Sequence, residues 1–140
     1  MNFFRSVQAT IDATTVDTRE PQRDTHLRSA DFFDVAKFPI ISFKSTQVAK
    51  GTSGKLKVTG HLTLHGVTKQ VVLDVEPLSP PIKDRRGVLR SGVSATTRIS
   101  RKDFGMLFNQ VLEAGGVVVG DEVSIELELE ISKKDAPATN

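Results

Sequence analysis

Hydrophobic and polar residues alternate with period two along most of the chain, the pattern of strands with one face buried. VQATIDATTVDT, from Val7, places Val7, Ala9, Ile11 and Ala13 on one face and Gln8, Thr10, Asp12 and Thr14 on the other. Ile40–Val48 predicts a second strand, with Ile41 and Phe43 facing one way. KLKVTGHLTLHG is the most regular: Leu56, Val58, Leu62 and Leu64 alternate with Lys55, Lys57, Thr59, His61 and Thr63. Gly60 takes an inner position there, which predicts a bend or bulge at a barrel corner. HGVTK, His65 to Lys69, reads as a hairpin connection. The return strand, QVVLDVE, has Val71, Leu73 and Val75 in phase. LSPPIKDRRG, Leu78 to Gly87, reads as a polar, proline-bearing loop. VLRSGVSATTRIS puts Leu89, Val93, Ala95 and Ile99 on one side. EVSIELELEIS puts Val123, Ile125, Leu127, Leu129 and Ile131 inside and its glutamates outside. Six strands and little helix predict an all-β antiparallel barrel or sandwich with an apolar interior.

Two segments break the alternation. RDTHLRSADFFDVAKFP, Arg23 to Pro39, mixes charges, a histidine and three phenylalanines. With Pro21 and Gln22 it predicts one or two helical turns, Pro21 in the first turn and Asp24 or Ser29 as a cap. RKDFGMLFNQ is a second short helical or turn segment. Aromatics outside the strands either plug the barrel ends or form ordinary core under a short helix. The first segment is therefore expected to act as a lid, with Leu27, Phe32 and Phe33 towards the barrel and its charges towards water.

Composition narrows the function. The chain has 140 residues, a formal net charge of +2 and no cysteine. One domain is expected over residues 1–132, with a flexible tail at 133–140. Disulfides, thiolate chemistry and cysteine zinc sites are excluded. No run is apolar enough for a membrane helix or a leader peptide. Trp and Tyr are absent, and the eight Phe are not interleaved with basic residues along strands. That argues against a stacking platform for single-stranded nucleic acid.

Catalytic and metal motifs are equally scarce. His61 and His65 sit four apart, but on a strand that spacing separates them by about 13 Å, too far for one metal. His26 lies among Arg23, Asp24 and Arg28. As a general base it would be oriented by Asp24 or Asp31, but a capping or surface network is the commoner role. No nucleophile elbow or phosphate-cradling loop is present. GTSG (Gly51 to Gly54) and AGG (Ala114 to Gly116) read as turns. Glu126, Glu128 and Glu130 form a stripe expected to be solvated, as does the cluster of Arg85, Arg86 and Arg90.

Several motifs together resemble the YceI-like family. RDTHLRSADFFDVAKFPIISF looks like its signature. GHLTLHGVTKQVVLDV is similar, with Gln70 where the family usually has proline. RISRKDFGM and GDEVSIELELE follow in the same order, so the likeness runs from about Val7 to Ile131. It implies a lipocalin-like antiparallel barrel, a polyisoprenoid such as a quinone tail in its interior, no cofactor, no catalytic residues, and export to the periplasm or secretion. No leader is read in this sequence, so a cytoplasmic location is also an open expectation. Relatives begin with roughly two more strands before the segment matching Val7. A small closed barrel takes about eight strands, so the barrel is expected to be incomplete at its N-terminal side.

The expected ligand is a small apolar molecule, a polyisoprenoid, prenyl quinone or fatty-acyl lipid. Its lining is expected from Ile11, Phe43, Val58, Leu62, Leu64 and Leu73 on the first strands. Val93, Ile125 and Leu127 follow on the later ones, with Phe33 and Phe104 from the two non-strand segments. An incomplete barrel leaves unpaired edges, which predicts a homodimer. Two alternatives stay open: a structural or stress-response module with a filled core, and an enzyme using His26.

Overall fold

The computed structural model describes residues 5–109 and 119–132. Within them one antiparallel sheet curls into an open half-barrel. Its strands are β1 (Gln8–Asp12), β2 (Ile40–Lys50), β3 (Leu56–Leu64), β4 (Val67–Val75), β5 (Ile82–Lys83), β6 (Leu89–Ser100) and β7 (Glu122–Ser132). The order is β1-β2-β3-β4-β6, with β7 on the far side of β6 and β5 beside the start of β6. One helix, α1 (Pro21–Arg28), lies between β1 and β2. The tail at 133–140 and the turn expected at Ala114–Gly116 lie outside the described residues.

Alternation in sequence becomes alternation in burial. Along β3 every second residue from Leu56 to Leu64 is buried, and β6 buries Ser91, Val93, Ala95 and Ile99. The side chains of Leu56, Val58, Leu62, Leu64, Val93, Ala95 and Ile99 form one cluster with Phe43, Leu73, Val75, Phe104 and Met106.

Four boundaries differ from the sequence pattern, each for a local reason. β1 stops at Asp12, because the Asp12 carboxylate accepts from the Thr14 N–H at 2.9 Å and turns Ala13–Thr15 into a 3-10 turn. That competition between side chain and strand is typical of Asp and Thr. β4 starts at Val67, because His65 and Gly66 both adopt positive φ and close a two-residue hairpin. The loop expected at Leu78–Gly87 contains a seventh strand, β5, paired through Ile82↔Arg90 and Lys83↔Leu89. Asp84 closes that hairpin by accepting from the N–H groups of Arg86 and Val88. Finally, neither Asp24 nor Ser29 caps the start of α1. Its N-cap is Glu20, followed by Pro21, and Ser29 ends the helix.

Gly60 is a packing glycine at a bulge. Ser45 faces Gly60 and Gln47 faces Thr59, so Thr46 is the extra residue in β2. A Cβ at Gly60 would lie 2.5 Å from the Lys44 carbonyl oxygen and 2.6 Å from Phe43 Cζ. Gly60→Ala must displace backbone or the buried Phe43 ring. It is expected to cost about 1–3 kcal/mol. A chemical-denaturation midpoint equal to wild type would contradict this close approach.

Candidate ligand-binding face

The concave face of the half-barrel is apolar but unevenly covered. Its centre is closed by protein: Val58 is 0% exposed and Phe104 1%. Phe43, Leu62, Leu64, Leu73 and Val93 join them in the core. Phe33, Ile125 and Leu127 pack against that core while only partly buried. Ile11, on edge strand β1, is 48% exposed. The eleven residues read as lining thus separate into two groups. Seven are enclosed by their neighbours. Ile11, Phe33, Ile125 and Leu127 still offer surface.

Other apolar residues extend that surface. Leu129 is 54% exposed and Val123 37%, both on the inner face of β7. Ile41 lies opposite Ile11 in the register and is partly buried. The reason is topological. Among the described residues β1 pairs only with β2, and β7 only with β6, so inner residues on these two strands have no described strand on one side. The exposed apolar strip therefore follows the edges and not the middle of the sheet. A buried polar group lies on the inner face: Ser91, whose Oγ makes no hydrogen bond.

The segment expected to be a lid is anchored over one end. Phe32 is buried, and Phe33 and Leu27 are half-buried. Phe32 meets His26 edge-on at 5.0 Å and Phe108 at 5.3 Å, and His26 meets Phe108 at 5.0 Å. Such ring geometry is attractive beyond simple burial. The two non-strand segments thus close on each other through three rings. Arg28 ties α1 to the turn after β1 by donating to the carbonyl oxygens of Thr14 and Val16, each at 3.0 Å. Not all charges of this segment face water. Asp24 is buried and accepts from the N–H and the hydroxyl of Thr18. The Thr18 hydroxyl holds the Asp24 carboxyl below the usual carboxylate range.

His26 pairs with Asp31, Nε2 to Oδ2 at 2.8 Å, and not with Asp24. Both side chains are close to half exposed. His65 instead serves the fold: Nδ1 lies 3.0 Å from the Phe104 carbonyl oxygen and the ring meets Phe38 at 5.0 Å. Gly66 beside it has positive φ, and Phe38 occupies the space a Cβ would need. Among the described residues no three His, Asp or Glu side chains are grouped to hold a metal.

Two grooves open on the sheet. The larger, about 540 Å³, runs beside Glu76, Ser79, Gly92, Ser94, Glu128 and Glu130. Its carboxylates are already engaged: Glu128 accepts from Ser94 Oγ at 2.6 Å and Glu130 from Arg90 at 3.0 Å. Arg90 also donates to Asp84 at 2.9 Å, which lowers the Asp84 carboxyl and raises the Arg90 guanidinium. Of the arginine cluster read as solvated, Arg90 is therefore held in a network. The second groove, about 330 Å³, lies between β4 and β6.

Sequence reasoning passed over one organising residue. Arg101 is 3% exposed and donates to the carbonyl oxygens of Met106 at 2.7 Å and Gly120 at 2.8 Å. Only its place in RISRKDFGM marked it.

The model of the YceI-like domain matches residues 2–131. The chain belongs to the YceI-like family. A UPF0312 protein of Vibrio cholerae is 42% identical over 113 residues, 81% of this chain and 58% of that relative. The chain thus spans less than two thirds of that relative's length. A UPF0312 protein of Staphylococcus aureus is 37% identical over 134 residues, 94% of this chain and 75% of the relative. Among solved structures, a Campylobacter jejuni YceI protein superposes with a TM-score of 0.80 at 30% identity, over 96% of this chain and 75% of that one. Burkholderia cenocepacia BcnA superposes with a TM-score of 0.76 at 25% identity, over 90% and 74%. The half-barrel is accordingly the YceI-like fold, and the family's antiparallel, lipocalin-like architecture accounts for the apolar concave face. Among the described residues no helix is long and apolar enough to cross a membrane.

Proposed function

We propose that this YceI-like domain binds a long apolar molecule, a polyisoprenoid, prenyl quinone or fatty-acyl lipid, along its concave face, without chemical turnover. The observation that carries this reading is the apolar surface left open at the two sheet edges: Ile11 on β1, and Val123 and Leu129 on β7 beside half-buried Ile125 and Leu127. Covering such a strip is favourable at ~25 cal/mol per Å², so one five-carbon prenyl unit contributes at most about 2–4 kcal/mol. Ordering a flexible tail returns part of that. Selection on the strip itself is by length and shape. On this reading the ligand lies along the edges, over Phe33 and the rim of the core, because the centre is enclosed.

The reading of binding without chemistry rests on the site's chemistry. The His26–Asp31 pair is exposed to water and packs on phenylalanines, with no nucleophile hydrogen-bonded to His26 among the described residues. Native mass spectrometry before and after organic extraction tests the ligand. Protein that carries a lipid mass, or takes up a prenyl quinone or fatty acid, is the expected result. Protein that does neither defeats the reading and favours a structural module.

A second observation favours self-association as a homodimer. The outer edges of β1 and β7 have no strand beside them among the described residues. Unpaired edges recruit strands, and the strip they carry is the surface the ligand would cover. Lipid binding and dimerisation on this reading compete for, or share, one face.

A further inference from the structure

A groove lies between β4 and β6. The two strands pair only at Asp74↔Thr96 and Val75↔Ala95. Towards Val67 and Ser100 they splay, and the Thr97 hydroxyl spans the fork by donating to the Val72 carbonyl oxygen at 2.9 Å. The groove is lined from both faces: Lys69, Val71 and Ile99 occupy inner positions, and Gln70, Arg98 and Ser100 outer ones. Phe104 also lines it and is 1% exposed. The groove at the fork therefore borders the rim of the core, at Phe104, and outer-face residues alike.

Lys69 is the anomaly in this groove. It has the same phase as Val67, Val71, Leu73 and Val75, and sits opposite buried Leu62. A lysine at an inner position of an otherwise apolar strand is unusual. Its stem can lie along Val67 and Val71 while the ammonium reaches the opening. It makes no ion pair within 4 Å among the described residues. The other charges on the groove are Arg98, which lies 3.7 Å from Glu122, and Asp103. Arg98 is paired with Glu122, so Lys69 is the cation of this groove left without an ion pair among the described residues, and it is the group that would attract an anion. Backbone donors add to this. Glu76 N–H bonds to the Ser94 carbonyl, so even-numbered residues of both strands point into the fork. The N–H and C=O groups of Gln70 and Arg98 both point there without a β4–β6 bridge, and the N–H groups can donate to a carboxylate.

We propose that this fork holds the head of the bound amphiphile, and that Lys69 makes the protein select an anionic head, the carboxylate of a fatty acid, over a neutral alcohol or prenyl chain. This deepens the reading of an apolar ligand and rests on it. The chain of the ligand lies on the concave face and its carboxylate sits at the fork, against the Lys69 ammonium.

The test uses oleate and oleyl alcohol, which share one chain and differ in the head, with the wild-type chain and two variants. Displacement of an environment-sensitive fluorescent fatty acid is the readout. Wild type is expected to bind oleate about tenfold tighter than oleyl alcohol, the scale of one charge-assisted contact. Lys69→Met is expected to lose that preference by weakening oleate alone, and Lys69→Arg to keep it. Added salt should erode the preference in wild type and leave Lys69→Met unchanged. Lys69 is exposed, so an unchanged melting midpoint is the control for folding. Equal binding of both ligands by wild type, or an unchanged preference in Lys69→Met, overturns the role of the fork and leaves the apolar reading standing. Binding of neither ligand overturns both.

Discussion

Arg101→Ala is expected to lose about 3–5 kcal/mol of stability, the scale for removing a buried, hydrogen-bonded charge. The guanidinium is 3% exposed and donates from all three nitrogens. Nη1 reaches the Met106 carbonyl, Nε the Gly120 carbonyl, and Nη2 the Val119 carbonyl at 3.5 Å and Asp121 Oδ1 at 3.4 Å. The backbone of Arg101 adds two more bonds, from its N–H to the Asp121 carbonyl and from the Met106 N–H to its own. One side chain thus binds the turn after β6 to the chain that enters β7. That entry sets the register of β7 on β6, which runs from Arg90↔Ser132 to Ser100↔Glu122. Truncation leaves the buried Met106 carbonyl without this donor, a cost of about 1–3 kcal/mol, and removes the part-buried bonds to Gly120 and Val119 as well. Lysine supplies one point charge in place of a planar fork, so Arg101→Lys should recover only part of the loss. Urea unfolding gives the free energies, and amide exchange should show β7 opening first in Arg101→Ala. A loss below about 1 kcal/mol would mean that the carbonyls find other donors and that Arg101 does not organise this end of the sheet.

What the sequence made legible follows from what alternation encodes. Period two names the inward face of a strand, and β3 buries Leu56, Val58, Leu62 and Leu64 as that pattern requires. It does not say whether a neighbour lies beside the strand. β7 has the same regularity, yet Leu129 is 54% exposed, because β7 is an edge. Ile11 on β1 fails as a core residue for the same reason. β5 was invisible because two residues carry no period, and its hairpin is written in the Asp84 side chain instead. Gly60 was legible because a glycine at an inner position of an apolar strand has few explanations. The aromatic segments were legible as lid material, but the meeting of His26, Phe32 and Phe108 joins residues far apart in the chain, and no local pattern records that. Arg101 and Lys69 are the opposite cases. Each is a common surface residue type whose importance comes from where the fold puts it, buried at the end of β6 or inward-facing beside a fork.

The free edges lead to the other large expected effect: the 140-residue chain should form dimers, and Thr10→Pro should dissociate them. β1 bonds to β2 through its odd-numbered residues, since the Ser45 N–H donates to the Val7 carbonyl and the Ala13 N–H to that of Pro39. The N–H and C=O groups of Gln8, Thr10 and Asp12 therefore point away from the sheet. Across a two-fold axis near Thr10, β1 can pair with its own copy and join two half-barrels edge to edge. The alternative pairing, β7 with its copy, would set Glu126, Glu128 and Glu130 beside the same three glutamates, and like charges across strands are destabilising. The neutral Gln8 and Thr10 carry no such penalty. Proline at position 10 removes an outward donor that β1 does not use, a place where an edge strand tolerates it. Each protomer should keep its fold, while the interface loses two hydrogen bonds by symmetry. At ~1 kcal/mol each, the dimer should weaken at least about thirtyfold. Light scattering across a concentration series, with circular dichroism to confirm the fold, measures both. A wild-type chain that stays monomeric at every concentration refutes the dimer. A Thr10→Pro variant that dimerises as wild type does would move the interface away from β1, and the apolar strip at Ile11 would then be free for lipid in both forms.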